Sequence, residues 1–196
     1  KIYIYMEKKN IIVSYILRKK KKNHLFLKDF TNFKKLNKLI VDINPTHVFN
    51  CLGVTKYNES YDQIKKTKLI ITKLPRILAK FCKKNKIYFI HISTDCVFTG
   101  KKGNYNEKSL KDSQDLYGLS KSRGEVKNKY SATIRTSFIG PELKTNKSLL
   151  NWFLSQKKDV NGFTQAFFSG LTSLELSKII FLYFIKSNSF YNNIIN

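Results

Sequence analysis

The sequence predicts an α/β fold with a doubly wound parallel sheet. Short apolar segments of the kind found in buried strands alternate along the chain with longer segments of helical periodicity, and this alternation is typical of a parallel sheet covered on both faces. The 196 residues are 42% apolar, which suffices for the core of one domain and part of another. The chain contains no internal repeat and no linker rich in Pro, Gly or Ser.

Four segments rich in β-branched and aromatic residues are short enough to be buried strands. They run from Ile11 to Leu17, His47 to Asn50, Ile87 to Ile92 and Ala132 to Thr136. In doubly wound folds, ligands lie at the carboxyl ends of the strands. Two polar segments, Asn50 to Gly53 and Ser93 to Asp95, fall at such ends, and we therefore expect a dinucleotide to lie there.

Helical periodicity fills the segments between the strands. Apolar residues recur every three or four positions from Ile64 to Cys82, which predicts a helix that Pro75 interrupts and bends. Three further helices are predicted from near Asp115 toward Lys129, from Leu149 to Gln156 and from Ser173 to Ile185.

The net charge of +24 suggests a nucleic-acid partner, because clustered cations attract phosphates. However, only four of the 37 basic residues are arginine, the residue best suited to bidentate recognition of phosphates and bases. We interpret the charge as a lysine-rich, solvated surface and expect no nucleic-acid partner. The one dense basic run, Arg18 to Lys22, could still form a local patch.

The cysteines and histidines predict neither disulfides nor a metal. The three cysteines form no C-x-x-C pair, and the three histidines lack the spacing of metal ligands. Free thiols fit a reducing cytoplasm. The longest apolar run near the C-terminus, Ile179 to Ile185, is too short to span a bilayer, so we expect no membrane partner.

A tyrosine and a lysine four residues apart, Tyr117 and Lys121, form a candidate proton-transfer pair. On a helix the two side chains share one face, where an ammonium can lower the pKa of a phenol. The spacing alone carries little weight, because four Y-x-x-x-K matches occur among 11 tyrosines and 33 lysines. The context is more specific: the string IHISTDCVFTGKKGNY precedes the pair, and Gly124-Glu125 follow it.

These motifs resemble the extended short-chain dehydrogenase/reductase family, and within it the dTDP-4-dehydrorhamnose reductase-like sugar-nucleotide reductases. Members carry a strand ending in S-T-D-x-V-F, a loop with an acidic residue, and Y-G-x-(S/T)-K-x-x-G-E. This chain has Ser93 to Phe98, Glu107 and Tyr117 to Glu125 in the same order. The resemblance extends over roughly residues 40 to 185 and implies a Rossmann-like fold.

The resemblance implies a nicotinamide cofactor and a catalytic set of Thr94, Tyr117 and Lys121. Tyr117 would give a proton to the carbonyl oxygen, Lys121 would hold the ribose and depress the pKa of the tyrosine, and Thr94 would orient the oxygen. The implied cofactor-binding residues are Asn50, Cys51, Leu52, Gly53, Ser93, Tyr117, Lys121 and Ser137. The cofactor would be NADPH or NADH, with NADPH slightly favoured because Arg18 to Lys22 follow the position of the second strand.

One expected feature of this fold is missing from the sequence. The glycine-rich turn that normally holds the pyrophosphate has no counterpart, since no glycine precedes Gly53. We expect a fold incomplete at the N-terminus that lacks its first βα unit; the alternative is a diverged protein that has lost cofactor binding. Residues 1–140 would form a partial cofactor-binding domain, and residues 141–196 part of a small C-terminal substrate-binding region.

The implied function is reduction of a nucleotide-activated 4-keto-6-deoxy sugar for surface polysaccharide precursors. The nucleotide sugar would contact Phe138 to Leu143 and the segment Trp152 to Thr172. Two alternatives stay open: a non-catalytic regulatory or binding subunit of the same fold, and a related epimerase or dehydratase. The sequence also leaves a homo-oligomer open.

Several candidate residues also have a purely structural interpretation. Thr94 can cap the turn after its strand, and Asn50 can tie down its own turn. Cys51 can be a small apolar filler. Glu107 is expected to fix its loop, and Arg135 to pair with a neighbouring acid.

Overall fold

The computed structural model describes residues 16–17, 25–27, 29–53, 64–65, 68–141 and 148–196. In these ranges the chain forms six strands: β1 (Ile16–Leu17), β2 (Leu25–Phe26), β3 (His47–Asn50), β4 (Tyr88–Ser93), β5 (Ser131–Arg135) and β6 (Ile194–Ile195). All pairings between them are parallel. β1 and β2 form a two-stranded sheet, and the other four form a second sheet in the order β3-β4-β5-β6.

In the same described ranges, five α-helices accompany the strands: α1 (Phe33–Ile43), α2 (Leu74–Lys84), α3 (Leu116–Gly124), α4 (Leu149–Leu154) and α5 (Ser173–Ile179). A π-helical segment, Lys68–Lys73, leads into α2, and another, Ile180–Lys186, continues α5. None of the helices in the described ranges is both long and apolar enough to cross a membrane.

The core lies on both faces of the four-stranded sheet. On one face Phe89 packs in a cluster with residues of α1 and α2, such as Leu36 and Leu78. On the other face Ile90 packs with Leu176 of α5 and its neighbours. Since neighbouring residues of a strand point to opposite faces, β4 fills both cores at once. The predicted doubly wound α/β fold is therefore confirmed.

Most predicted elements are present, with shifted ends. β3 agrees with its prediction, while β4 and β5 differ by one residue at each end. The helix predicted toward Lys129 is wrong in length: α3 ends at Gly124, because Glu125 adopts extended backbone angles. Of the strand predicted from Ile11, only Ile16–Leu17 lies in the described residues.

The helix predicted from Ile64 to Cys82 changes character near its proline. The π-helical segment ends at Lys73, one residue before α2 begins, and Pro75 occupies the first turn of α2. Proline is tolerated there because the first N–H groups of a helix have no intrahelical acceptor. α1 was not among the named predictions, although Asn32 caps it through its side chain.

Candidate active site

Three polar segments leave the sheet at the same edge. The register pairs Asn50 with His91 and Ser93 with Arg135, so the carboxyl ends of β3, β4 and β5 lie side by side. Cys51 and the residues after it, together with those after Ser93 and Arg135, therefore emerge at one edge of the sheet. This is where ligands bind in open α/β sheets.

The turn after β3 is fixed by Asn50 and His91. The Asn50 amide nitrogen lies 3.1 Å from His91 Nδ1, and its oxygen accepts the Leu52 N–H at 3.2 Å. Because an amide nitrogen only donates, Nδ1 accepts and the ring proton sits on Nε2. Burial lowers the pKa of His91 to about 3, so the ring is neutral. Asn50 does tie down its turn, as expected, and His91 is the partner that the sequence did not reveal.

Helix α3 presents Tyr117 and Lys121 one turn apart. Its first turn is capped by Asp115, which accepts the Gly118 N–H at 2.9 Å and the Ser113 hydroxyl at 2.7 Å. Glycine allows α3 to lie unusually close to its neighbours, since a Cβ on Gly118 would overlap the backbone oxygen of Cys96. The helix is thereby pressed against the loop that follows β4.

Lys121 is held against β4. Its side chain is buried, with the residue 4% exposed, and Nζ donates to the Ile92 carbonyl oxygen at 2.7 Å. Burial lowers the pKa of Lys121 to about 8, although Glu125 and Cys51 raise it in part. Lys121 therefore carries a buried ammonium whose charge is easily lost, next to the turn after β3.

The pKa of Tyr117 lies above its ordinary value, and the part that Lys121 plays in it stays a prediction. Burial raises the pKa of this phenol, nearby Cys96, Asp95 and Asp115 raise it further, and contact with the Thr94 hydroxyl lowers it. The Lys121 ammonium donates to a backbone carbonyl. In this state Tyr117 keeps its proton near neutral pH.

The hydroxyl groups of Thr94 and Ser137 and the carboxylate of Asp95 meet after β4 and β5. Asp95 Oδ1 accepts the Thr94 hydroxyl at 3.1 Å and also the Ser137 hydroxyl. Thr94 Oγ1 also accepts the Cys96 N–H at 3.2 Å, so the capping interpretation of Thr94 is correct as well. Asp95 was not among the predicted site residues, although it stands inside the S-T-D motif.

Ser93 belongs to a buried ion-pair network rather than to the open surface. Its hydroxyl donates to Glu125 at 3.1 Å, and Glu125 also accepts two bonds from Arg135, at 2.7 and 2.9 Å. Lys111 Nζ lies 3.1 Å from the same carboxylate. The expected pairing of Arg135 with an acid is thus confirmed. Glu125 is the last residue of the motif that begins at Tyr117, but the sequence predicted no role for it.

Two segments predicted to contact the nucleotide sugar are joined beside the site. Leu171 N donates to the Ser137 carbonyl at 2.9 Å, and Ile139 N donates to the Leu171 carbonyl at 3.1 Å. Trp152 of α4 is largely exposed, and Phe163 and Phe167 in the following segment are 91% and 92% exposed. Residues 142–147 lie outside the described residues.

The cysteines differ in their access to solvent. Cys51 and Cys96 are exposed residues that each follow a strand at the site edge, although burial of their thiol groups raises the pKa of both. Cys82, a residue of α2, is buried in the core, and burial raises its pKa to about 12. Glu107 fixes its loop, as expected, by accepting the Asn196 N–H at 3.1 Å.

The profile of the protein family described as "RmlD substrate binding domain" matches residues 7–160 of this chain. A dTDP-4-dehydrorhamnose reductase from Aggregatibacter actinomycetemcomitans is 26% identical over 141 residues, which cover 68% of this chain and 47% of that protein. The chain therefore spans about half the length of the curated relative it matches.

Solved structures of dTDP-4-dehydrorhamnose reductases have a similar fold. One from Clostridium acetobutylicum superposes with a TM-score of 0.72 at 21% identity, covering 97% of this chain and 69% of its own. Another, from Bacillus anthracis in complex with NADP, has a TM-score of 0.51 at 23% identity and covers 60% of this chain and 46% of its own.

Proposed function

The chain belongs to the RmlD substrate-binding domain family, and from this membership we propose that it acts in the NAD(P)H-dependent reduction of a nucleotide-activated 4-keto-6-deoxy sugar. The observation that carries the proposal is the arrangement of α3 against the end of β4. It brings Tyr117 into contact with Thr94 and places Lys121 beside the turn after β3. The match to a dTDP-4-dehydrorhamnose reductase supports a nucleotide sugar as substrate. We propose the synthesis of surface polysaccharide precursors as the role.

The residues at the edge of the sheet suit a nicotinamide cofactor. Among the described residues the Ile92 carbonyl is the one hydrogen-bond acceptor of Lys121, so two of its three N–H donors are available for ribose hydroxyls. Among the described residues, no atom lies within 4 Å of the position that a Cβ on Gly53 would take, and Cys51 is exposed nearby. Lys121 and the turn from Asn50 to Gly53 would hold the cofactor, whose chemistry is the transfer of a hydride to the carbonyl carbon.

The protein's own contribution to the reaction would be a proton and its placement. A raised pKa keeps Tyr117 protonated at neutral pH, as a proton donor must be. Thr94 would help to orient the carbonyl oxygen toward the phenol. We assign cofactor binding to residues 1–140 and the nucleotide-sugar contacts to residues 141–196. The backbone hydrogen bond from Leu171 to Ser137 joins the two parts.

The cofactor is tested first, by protection of thiols. We expect NADPH or NADH to slow alkylation of Cys51, because the bound cofactor would cover the turn after β3. Cys82 is the internal control: its buried thiol should resist alkylation with or without cofactor. Equal labelling of Cys51 at saturating concentrations of both nucleotides would argue against the cofactor site.

The reaction is tested with a dTDP-4-keto-6-deoxy sugar and NADPH, followed by absorbance. Tyr117→Phe should lower kcat by about 10²- to 10⁴-fold, because the phenol proton is lost. Tyr130→Phe is the matched control, because Tyr130 packs on Tyr88, away from the site edge. Unchanged turnover in Tyr117→Phe would remove Tyr117 from its assigned role. Protection without turnover would favour a binding subunit.

A further inference from the structure

Positive and negative charges are separated along the chain. From Gln63 to Thr94 the sequence contains eight lysines and one arginine but no Asp or Glu, and this is its longest stretch without an acid. By contrast, five of the 13 acidic residues lie between Asp95 and Glu125, around the candidate site. Helix α2 lies within the stretch without acids, so its cations have no acidic neighbour in the sequence.

The cations of α2 lie on its solvent face. The opposite face packs in the core through Leu78, whereas the exposed positions are Arg76, Lys80, Lys83 and Lys84. None of the ion pairs between described residues includes one of these four cations. Lys83 and Lys84 complement the negative end of the helix dipole, but Arg76 and Lys80, four positions apart, repel each other. The full row of cations therefore does not serve the stability of α2 itself.

Helix α1 extends this basic face. Asn37 of α1 lines a shallow groove between the two helices together with residues of α2: Ile77, Lys80, Phe81, Lys83 and Lys84. Lys34 and Lys38 of α1 are exposed, and Asp42 is the single acidic residue in the sequence of the two helices. We call the six exposed cations the basic surface: Lys34, Lys38, Arg76, Lys80, Lys83 and Lys84.

The shape and composition of the basic surface indicate its partner. DNA recognition uses a helix that projects into a groove about 12 Å wide, and it favours arginine. Here two helices lie side by side as a broad face, and Arg76 is the one arginine of the six cations. An anionic bilayer needs neither a projecting helix nor arginine, because a cluster of about four to eight cations on a helix attracts acidic headgroups. Charge complementarity therefore favours a bilayer surface over nucleic acid.

We propose that the basic surface docks the protein on membranes that contain anionic phospholipids. The contact is electrostatic, because the apolar face of α2 is packed in the core and does not enter the bilayer. The expectation of no membrane partner rested on the lack of a spanning segment, which a surface contact does not need. Because α2 ends at Lys84 and β4 begins at Tyr88, the end of α2 lies beside the start of β4, at the edge opposite to the candidate site. Docking therefore leaves the site edge accessible.

Co-sedimentation with lipid vesicles tests the proposal without any need for turnover. At low salt the chain should bind vesicles of phosphatidylcholine with about 30% phosphatidylserine but not vesicles of phosphatidylcholine alone, and about 0.5 M salt should release it. The triple variant Lys80→Gln, Lys83→Gln, Lys84→Gln should weaken binding at least about tenfold, because three cations near the headgroups are lost. Changing the same three lysines to arginine keeps the charge and should preserve binding.

A matched variant separates the basic surface from the effect of net charge. Lys101→Gln, Lys102→Gln and Lys127→Gln together remove the same charge from exposed positions outside α1 and α2, and should weaken binding less than about threefold. Equal losses in the two glutamine variants would show that net charge alone drives binding and would overturn the proposal. Absence of binding to anionic vesicles at low salt would overturn it as well. Tighter binding to a DNA duplex than to vesicles, at equal concentrations of accessible anionic groups, would assign the surface to nucleic acid instead.

Discussion

At the scale of single residues, His91 of β4 and Lys121 of α3 are both buried bases, and burial lowers the pKa of each. His91 is fully buried and hydrogen-bonded to Asn50, and the charge of Lys121 lowers its pKa further. Protonating His91 would place a second positive charge next to that ammonium. Neutral His91 is therefore a condition for the turn geometry after β3.

His91 should make the protein sensitive to acid in a defined pH range. Its pKa is about 3 in the folded state, against 6.5 ordinarily. Between these values the unfolded chain binds more protons, so the free energy of unfolding should fall as pH decreases below 6.5, by about 1.4 kcal/mol per pH unit. Urea unfolding at pH 7, 6 and 5 measures this slope.

His91→Gln keeps an acceptor for Asn50 and should flatten that slope. The range above pH 5 excludes most carboxylate titration. His47→Gln is the comparison, since burial also lowers the pKa of the half-buried His47, and its effect should be smaller. A slope that His91→Gln leaves intact would show that another group controls it.

Sequence reasoning predicted which candidate residues lie together better than it predicted their hydrogen bonds. Tyr117, Lys121, Thr94 and Asn50 meet at one edge of the sheet, because strand ends and helix faces follow from local patterns. The partners of Lys121 and Tyr117 did not follow, since both depend on burial and on how closely α3 approaches β4. Asp95 and His91 were missed because each bonds to a residue far away in the sequence, Ser137 and Asn50 respectively.

At the scale of elements, α3 packs closely against the π-helical segment Lys68–Lys73. A Cβ on Gly124 would overlap the Ile71 carbonyl oxygen, and backbone cannot easily move aside. Thr72 adds a bond from its hydroxyl to the Ser120 carbonyl at 3.0 Å. Glycine at the end of α3 is thus required by the space between two elements.

Gly124→Ala should destabilise the protein by about 1–3 kcal/mol, despite the better helix propensity of alanine. Gly162→Ala is the control, because no atom lies within 4 Å of the position of its Cβ. Chemical unfolding of both variants measures the difference. Equal stability of the two would show that α3 can withdraw from Ile71 at no cost.

Glu125 joins the end of α3 to two strands and a loop, and its loss should strongly destabilise the protein. The side chain is 1% exposed and bonds to the end of β4, to β5 and to Lys111. Glu125→Gln leaves Arg135 buried without a counter-charge and should lower the free energy of unfolding by about 3–5 kcal/mol. Glu175→Gln breaks an exposed pair with Lys178 and should change it by less than about 1 kcal/mol. Similar losses in the two variants would contradict a special role for the buried network.

At the scale of the whole molecule, the polar residues of the candidate site and the exposed apolar side chains lie in different parts of the chain. The site edge is built from β3, β4, β5 and α3. The segment from α4 to α5 contains many exposed large apolar side chains: Leu149, Trp152, Phe153, Leu154, Phe163, Phe167, Phe168 and Leu174. Apolar surface of this extent favours association and the binding of apolar dyes.

Replacing Phe163 and Phe167 together by serine should reduce dye fluorescence and aggregation while changing the free energy of unfolding by less than about 1 kcal/mol in total. Both rings are over 90% exposed and contribute almost no packing. Phe184→Ala is the contrast: its ring is fully buried and its loss should cost about 3–5 kcal/mol. A large stability loss in the serine variant would show that the two rings are covered in solution.

The overall architecture could be predicted from the sequence, because apolar residues recur every two positions in strands and every three to four positions in helices, even in this lysine-rich chain. Element ends were less accessible: Glu125 is held by Arg135 and Lys111, and this tertiary network ends α3 before the expected Lys129. The two-residue strand β6 has too few residues to show a period.

The parallel register has a consequence for how the site comes into being. Asn50 and His91 are 41 positions apart, and Asp95 and Ser137 are 42 apart. Each pair can meet only after a long crossover has closed, which is entropically slow. Local structure alone cannot bring these pairs of residues together during folding. In a refolding experiment, protection of Cys51 by cofactor should therefore recover with the final sheet contacts, well after the helices have formed.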